Sequence, residues 1–292
     1  MEPIIRTRSL CKIYGKKNIV DDVNLEIKCG EIYGLLGKNG VGKTTLMKML
    51  TSLVIPTKGE IYLLGKALKE HVDILGHVGS VIEVPVFYYH LSAMDNLRIY
   101  CKYKEIDEKQ IEKYLEMAGL SEERKQKVKE YSLGMKQRLG IVRAMLGEPK
   151  ALILDEPING LDPEGIRDVR NLLLHLAKEC NTSILLSSHI LGEIESTADR
   201  VGFMNKGKII REMDKRMLEE SEKLFKVEVE NVETEIAKLQ TMEVMGRKGN
   251  IIHIRSKETY MEFIQELLKA NVNFKEVRVE RATLEDIFMK IT

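Results

Sequence analysis

The chain has 292 residues, 43% of them hydrophobic and 31% charged, with a net charge of +1; this accommodates one large domain plus a smaller one, or two similar ones, with enough apolar residues to bury a proper core. The near-balance of charge leaves no electrostatic footprint for nucleic acid, and no nucleic-acid partner is expected. Cys11, Cys29, Cys101 and Cys180 are scattered with no C-x-x-C pair, which speaks against a metal or disulfide framework and fits a reducing cytoplasm.

Met1–Arg6 carries no signal-peptide pattern, and no apolar run approaches the ~18 residues of a membrane span. Any membrane part of its task is expected to lie on another chain. Residues 4–36 read as short strands and turns. Ile4–Leu10 is followed by a turn at Tyr14-Gly15, and Val20–Ile27 alternates in part and ends near Gly30. Glu31–Leu36 is a short apolar strand, and Thr45–Leu50 opens a helix. Between them lies Gly37-Lys38-Asn39-Gly40-Val41-Gly42-Lys43-Thr44, which fits the phosphate-binding pattern G-x-x-x-x-G-K-S/T. Backbone N–H groups of such a loop cradle the β- and γ-phosphates, and the helix N-terminus adds partial positive charge. Glycines let the backbone approach where a Cβ would hold it away. Lys43 is expected to reach the phosphates and the Thr44 hydroxyl to ligate Mg2+. Tyr14, about two strands upstream, either folds back to stack on a nucleotide base or packs on the sheet as a turn aromatic.

Helix 43–52 ends before Pro56, and Thr57–Glu60 turns into the strand Ile61–Leu64. Val78–Ile82 is a buried strand with Glu83 at its C-terminal edge, followed by Val84–Tyr89. Glu83 either reaches the metal or its water, or is an exposed loop acid. The aromatics at 87–89 either anchor the loop or form a partner surface. Residues 92–147 read as helical. Ser92–Asp95 has a capping-box pattern. Ile111, Tyr114, Leu115 and Ala118 have helical spacing that stops at Gly119, and Glu122–Glu130 is a solvated charged run. In Tyr131–Arg138, Ser132 is a helix N-cap with Gly134 close behind, which either presents N–H groups to an anion or is an ordinary capped helix.

Lys150–Leu154 is an apolar strand ending in Asp155-Glu156-Pro157. Asp155 can hold Mg2+ through water and Glu156 can orient the attacking water. A tight turn at Asn159–Asp162 precedes helix 164–179, and the strand Ser183–Ser188 ends at His189. That histidine is expected at the same sheet edge as Glu83, Asp155 and the glycine loop, placed for a γ-phosphate. Helix Leu191–Ala198 and a hairpin of Arg200–Met204 with Gly207–Ile210 close the unit. The highly charged segment 211–222 reads as a linker or surface helix. Beyond it come strand Phe225–Glu230, helix Val232–Leu239, strands Glu243–Met245 and Ile251–Arg255, helix Met261–Ala270, strand Phe274–Val279 and helix Leu284–Ile291. The order βαββαβ predicts a small ferredoxin-like module without a catalytic constellation. The expected plan is a domain at 1–210 with a helical subdomain at about 85–148, a linker at 211–222 and an accessory domain at 223–292.

These motifs together resemble the ATP-binding subunit of an ABC transporter over about residues 4–210, and more loosely beyond. The resemblance rests on Gly37–Thr44 (Walker A), Ser132–Gln137 (signature), Leu152–Glu156 (Walker B), Asn159–Asp162 (D-loop) and His189 (switch histidine), in the family's order. It implies an α/β P-loop ABC ATPase domain with a mostly parallel core sheet, an antiparallel β-subdomain and an α-helical subdomain. It implies ATP and Mg2+ as cofactors, with nucleotide contacts at Tyr14, Gly37, Asn39, Gly40, Gly42, Lys43, Thr44 and Thr45. Thr44, Glu83 and Asp155 are implied at the metal, and Glu156 and His189 in catalysis. A homodimer is implied, in which Ser132 and Gly134 of one copy face the P-loop of the other and Asp162 links the two sites. Integral membrane permease chains are implied as partners, seated near residues 84–100, with the subunit peripheral on the inner face of the cell membrane.

Two departures from the family pattern are informative. The usual signature is Leu-Ser-Gly-Gly-Gln, whereas this chain has Tyr131-Ser132-Leu133-Gly134-Met135, keeping the serine and the second glycine. The usual loop glutamine is replaced by Glu83, and no glutamine lies between 77 and 95. With the Ser132–Gln137 signature, Glu83 resembles the bacitracin-resistance and lantibiotic-immunity branch, which implies export of, or immunity to, peptide antibiotics. Ala282–Met289 resembles the tail of drug-export ATPase subunits. A drug, lipid or ion is the competing substrate. A soluble ABC ATPase acting on DNA or ribosomes would want fused nucleotide domains, a coiled-coil insertion or a basic arm, and none is visible.

Overall fold

In a computed structural model, residues 2–214, 223–239 and 242–281 are described. The chain divides into two compact units, Met1–Met213 and Asp214–Thr292.

The first unit is built on six strands: β4 (Ile32–Leu36), β7 (Val78–Val81), β8 (Ala151–Leu154), β9 (Ser183–Ser188), β10 (Arg200–Asn205) and β11 (Lys208–Asp214), in the order β11-β10-β4-β9-β8-β7. β10, β4, β9, β8 and β7 are mutually parallel neighbours. Every residue of β4, β8 and β9 is buried, which is why these segments are continuous apolar or small-residue runs rather than alternating ones. Parallel strands need long crossovers, and helices supply them: α1 (Lys43–Leu50), α5 (Pro163–Glu179) and α6 (Leu191–Thr197).

A second, antiparallel sheet holds β1 (Ile5–Tyr14), β2 (Lys17–Val23), β3 (Glu26–Ile27), β5 (Lys58–Leu63) and β6 (Lys66–Ala67). The single strand expected over Val20–Ile27 is two. The Thr7 hydroxyl donates to the Val23 carbonyl and accepts from the Leu25 N–H, each at 2.9 Å, and these side-chain bonds replace ladder bonds at the break. β1 runs on past Leu10 because it bends at Ser9 (φ 43°) and pairs with β3 and β5 before the bend and mainly with β2 after it. β11 likewise runs to Asp214, beyond the expected hairpin end at Ile210. The Tyr33 hydroxyl donates to Glu212 at 2.5 Å and so ties this extension to β4.

The stretch 92–147 forms α2 (Ala93–Lys104), α3 (Gln110–Met117), a 3-10 turn at Val128–Glu130 and α4 (Leu133–Met145). Ser92 caps α2 by accepting from Asp95 N–H at 3.1 Å. The charged run 122–130 is not wholly solvated: Val128 is fully buried beneath it.

In the second unit, β12 (Lys223–Val229), α7 (Val232–Ile236), β13 (Glu243–Lys248), β14 (Ile251–Ser256), α8 (Tyr260–Lys269) and β15 (Phe274–Arg281) make an antiparallel sheet in the order β13-β14-β12-β15. This is the ferredoxin-like order. Its core centres on Phe225 and Phe263, stacked with centroids 3.7 Å apart. The expected helix at Leu284–Ile291 and the tail Ala282–Met289 lie outside the described residues.

Candidate nucleotide site

The C-terminal ends of β4, β8 and β9 open on one edge of the parallel sheet, where a ligand of such a fold is expected to bind. β4 runs directly into the glycine loop, and the Gly37 N–H donates to the Ser188 carbonyl at the tip of β9 at 3.3 Å. The glycines are required from behind the loop. A Cβ on Gly37 would lie 2.5 Å from the Met204 carbonyl oxygen, and one on Gly42 would lie 2.3 Å from that of Ile19. Gly42 also has φ +113°, a conformation nearly closed to other residues. Gly40, at φ +81°, has open space around it, and it forms the exposed crest with Asn39.

Lys43 opens α1, and its side chain is only 5% exposed. Its Nζ donates to the Gly37 carbonyl at 2.5 Å and lies 3.1 Å from Glu156 Oε1. The other carboxylate oxygen of Glu156 lies 2.8 Å from His189 Nδ1. Lys43, Glu156 and His189 therefore form one chain of contacts between the P-loop, the end of β8 and the end of β9. Glu156 sits at φ +49°, an unfavourable conformation for a residue with a side chain. The Ser187 hydroxyl holds this corner: it accepts from the Glu156 N–H at 2.9 Å and donates to the buried Asp155 carboxylate at 2.7 Å. Thr44 and Thr45 follow Lys43 on α1, half-buried.

Beyond His189, the Ser188 hydroxyl lies 3.1 Å from Glu193 Oε2 on α6. Burial pushes the Glu193 carboxyl up from the usual range; the Ser188 hydrogen bond opposes this and the nearby Glu156 charge adds to it.

Glu83 follows β7 with φ +61° and pairs with Lys48 of α1 at 2.6 Å. It is a loop acid with a defined partner, 64% exposed. Next to it Val84, Val86, Tyr88 and Tyr89 are exposed, while Phe87 is buried as the anchor of the loop. Tyr14 ends β1, half-exposed, with Lys12 Nζ 4.9 Å from its ring centre.

Ser132 and Asp162 form a second group. Each is an N-cap: Ser132 accepts from the Met135 N–H at 3.2 Å and starts α4, and Asp162 accepts from the Gly165 N–H at 3.0 Å and starts α5. The two helix starts adjoin, since a Cβ on Gly134 would lie 3.6 Å from Gly165 Cα. Arg138 of α4 pairs with Asp168 of α5 at 3.2 Å. Among the described residues, no hydrogen bond or ion pair joins Ser132, Gly134 or Asp162 to Lys43, Glu156 or His189.

Four residues of this neighbourhood were not singled out in the sequence: Lys48, Ser187, Ser188 and Glu193. The two serines had a signal, because hydroxyls ending an otherwise apolar parallel strand lie at the edge where ligands bind. Lys48 and Glu193 had none, since their positions depend on tertiary packing.

The family model described as ABC transporter matches residues 20–159. The chain is 50% identical over 215 residues to the bacitracin transport ATP-binding protein BcrA of Bacillus licheniformis, covering 73% of this chain and 70% of the relative. It is 44% identical over 222 residues to the lantibiotic transport ATP-binding protein SrtF of Streptococcus pyogenes, covering 76% of this chain and 96% of the relative. A solved dimeric structure of a bacterial ABC transporter cassette superposes with a TM-score of 0.66 at 25% identity, over 73% of this chain and 99% of that one.

Proposed function

Because the chain belongs to the ABC transporter ATP-binding proteins, whose subunits bind and hydrolyse ATP, we propose that it drives export of, or immunity to, peptide antibiotics through separate membrane permease chains. The observation that carries this reading is its 50% identity to a bacitracin transport ATP-binding protein, and Glu83 in place of the loop glutamine points the same way. The permease would seat near residues 84–100, where Val84 and Val86 are 67% and 72% exposed; apolar side chains so exposed next to a site loop favour a protein partner. No described helix is long and apolar enough to cross a membrane, so attachment to the inner face of the cell membrane would come through that partner.

In this mechanism the phosphates of ATP draw Lys43 Nζ away from the Gly37 carbonyl and Glu156. Losing the adjacent cation leaves the Glu156 carboxylate a stronger acceptor for a proton of the attacking water. Ser187 keeps Glu156 in place during this exchange. His189, with Nδ1 engaged by Glu156, has Nε2 left to contact the γ-phosphate. Tyr14 stacks on adenine. The residues Gly37, Asn39, Gly40, Gly42, Thr44 and Thr45 supply loop contacts. Among the described residues no cluster of three or more His, Cys, Asp and Glu could hold a metal alone, which fits Mg2+ held partly by phosphate oxygens. Thr44 and Asp155, hard oxygen donors, would hold it, with Glu83 nearby; when bound it would neutralise charge on the β- and γ-oxygens. Ser132 and Gly134 of a second copy would close over the nucleotide, with Asp162 linking the sites. The work done on the permease is then the difference in ATP affinity between open and closed dimers.

The test is ATP turnover of the purified chain with and without its candidate permease, with peptide antibiotics added. Partner-dependent turnover that changes with one peptide supports the reading and names the substrate. Turnover indifferent to every peptide removes the antibiotic assignment and leaves an ABC transporter ATPase with another cargo.

A further inference from the structure

His189 is carried by a tight turn whose geometry depends on its neighbour Ser188. The Ser188 carbonyl accepts from the P-loop Gly37 N–H at 3.3 Å, and the Ser188 hydroxyl accepts from the Ile190 N–H at 3.0 Å. That hydroxyl has one proton to give and two acceptors in reach, Glu193 Oε2 at 3.1 Å and the Ile190 carbonyl at 3.4 Å. A carboxylate at the shorter distance makes the stronger, charge-assisted bond. We propose that Glu193 is a positioning residue for ATP hydrolysis, holding the Ser188–Ile190 turn, and with it the His189 ring, through the Ser188 hydroxyl. The inference rests on the reading above that Glu156 and His189 serve hydrolysis.

Glu193 is itself well fixed. The next residue, Ile194, is fully buried and packs against β4, where a Cβ on Gly34 would lie 2.6 Å from its Cγ2. The Thr197 hydroxyl donates back to the Glu193 carbonyl at 2.8 Å. The carboxylate thus projects from a helix braced on the strand that feeds the P-loop. Its electrostatic neighbours include Glu156 and His189, which places it in the same field as the proposed catalytic pair. Without the carboxylate, the Ser188 proton falls back on the Ile190 carbonyl. That bond is the longer of the two, at 3.4 Å, and closes only a local loop at the N-cap of α6, without the tie to the Glu193 side chain one turn further along. The P-loop contact through the Ser188 carbonyl survives, so nucleotide binding should be spared while the histidine loses its bearing.

The experiment compares Glu193→Ala, Glu193→Gln, Ser188→Ala and the double variant Glu193→Ala/Ser188→Ala, with Glu156→Gln and His189→Ala in the same series. The readouts are kcat for ATP and equilibrium binding of a fluorescent ATP analogue. Glu193→Ala should lower kcat about tenfold, a loss of the size small misplacements cause, with analogue binding within about twofold of wild type. Glu193→Gln, whose amide oxygen still accepts from Ser188, should recover kcat to within about threefold. Ser188→Ala, which also loses the acceptor for the Ile190 N–H, should fall at least as far as Glu193→Ala, and the double variant should fall no further than Ser188→Ala. Wild-type kcat in Glu193→Ala, loss of binding together with kcat, additive losses in the double variant, or a glutamine no better than alanine would each overturn the assignment. Retained turnover in Glu156→Gln and His189→Ala would instead overturn the hydrolytic reading on which it stands.

Discussion

Glu156 combines three properties at one position: a left-handed backbone, a contact with Lys43 and a contact with His189. A strained residue held from several sides is where a site stores its geometry. Replacing Glu156 by Gln keeps the shape and removes the carboxylate proposed as the base. Turnover should fall about a hundredfold or more, and the ATP-bound dimer should accumulate on size-exclusion chromatography; wild-type turnover would remove Glu156 from the role of base. Glu83 is a different case, because Lys48 already neutralises it across an exposed pair. Glu83→Gln should shift the midpoint of the Mg2+ titration of ATPase activity about two- to fivefold, the range of roughly 0.4–1 kcal/mol expected of one exposed charge. An unchanged midpoint would leave Glu83 as a partner of Lys48 only.

At the scale of elements, the site depends on how closely α4 lies on β7. A Cβ on Gly79 would stand 2.1 Å from the Ala144 carbonyl oxygen and 2.6 Å from Leu152 Cδ2. Gly79→Ala should therefore cost about 1–3 kcal/mol or more of stability, as overpacking does, measured by urea unfolding; an unchanged midpoint would mean the helix shifts freely. The helical segment also carries two buried tyrosines, Tyr114 of α3 and Tyr131 ahead of α4, whose hydroxyls burial pushes up to about 12. Above the ordinary tyrosine value near pH 10 the unfolded chain releases these protons and the folded chain keeps them. The contribution of these two groups to stability is therefore fully present below about pH 10 and is lost as pH rises from 10 toward 12. Alkaline unfolding followed by circular dichroism should show this slope, and replacing both tyrosines by Phe should make it shallower, the remainder coming from other buried tyrosines such as Tyr33, whose hydroxyl burial also pushes up.

For the whole molecule, the proposal that Ser132, Gly134 and Asp162 of one copy complete the P-loop site of another has a direct test. Lys43→Ala and Ser132→Ala should each abolish turnover, and mixing the two chains should restore it. Half of randomly mixed dimers pair unlike chains, and each holds one intact composite site of two, so recovery should reach about a quarter of wild type. No recovery on mixing would exclude a site shared between copies.

The sequence by itself determined the parts whose chemistry is local. The glycine loop between strand and helix, the acidic end of β8, the serine and aspartate caps, and the βαββαβ order of the second unit all depend on residues within a few positions of one another, where sterics and hydrogen-bonding capacity act directly. The tertiary structure alone decided what these parts meet. β9 lies between β4 and β8 although β8 precedes it in the chain by some thirty residues, and crossover order is not written in periodicity. That insertion brings His189 to Glu156, Ser188 to Gly37 and Ser187 to Asp155. The glycines show the same division. Their pattern marks a loop that must approach phosphate, but the atoms that forbid a side chain at Gly37 and Gly42 are carbonyls of Met204 and Ile19, distant in sequence and adjacent only after the sheets have formed.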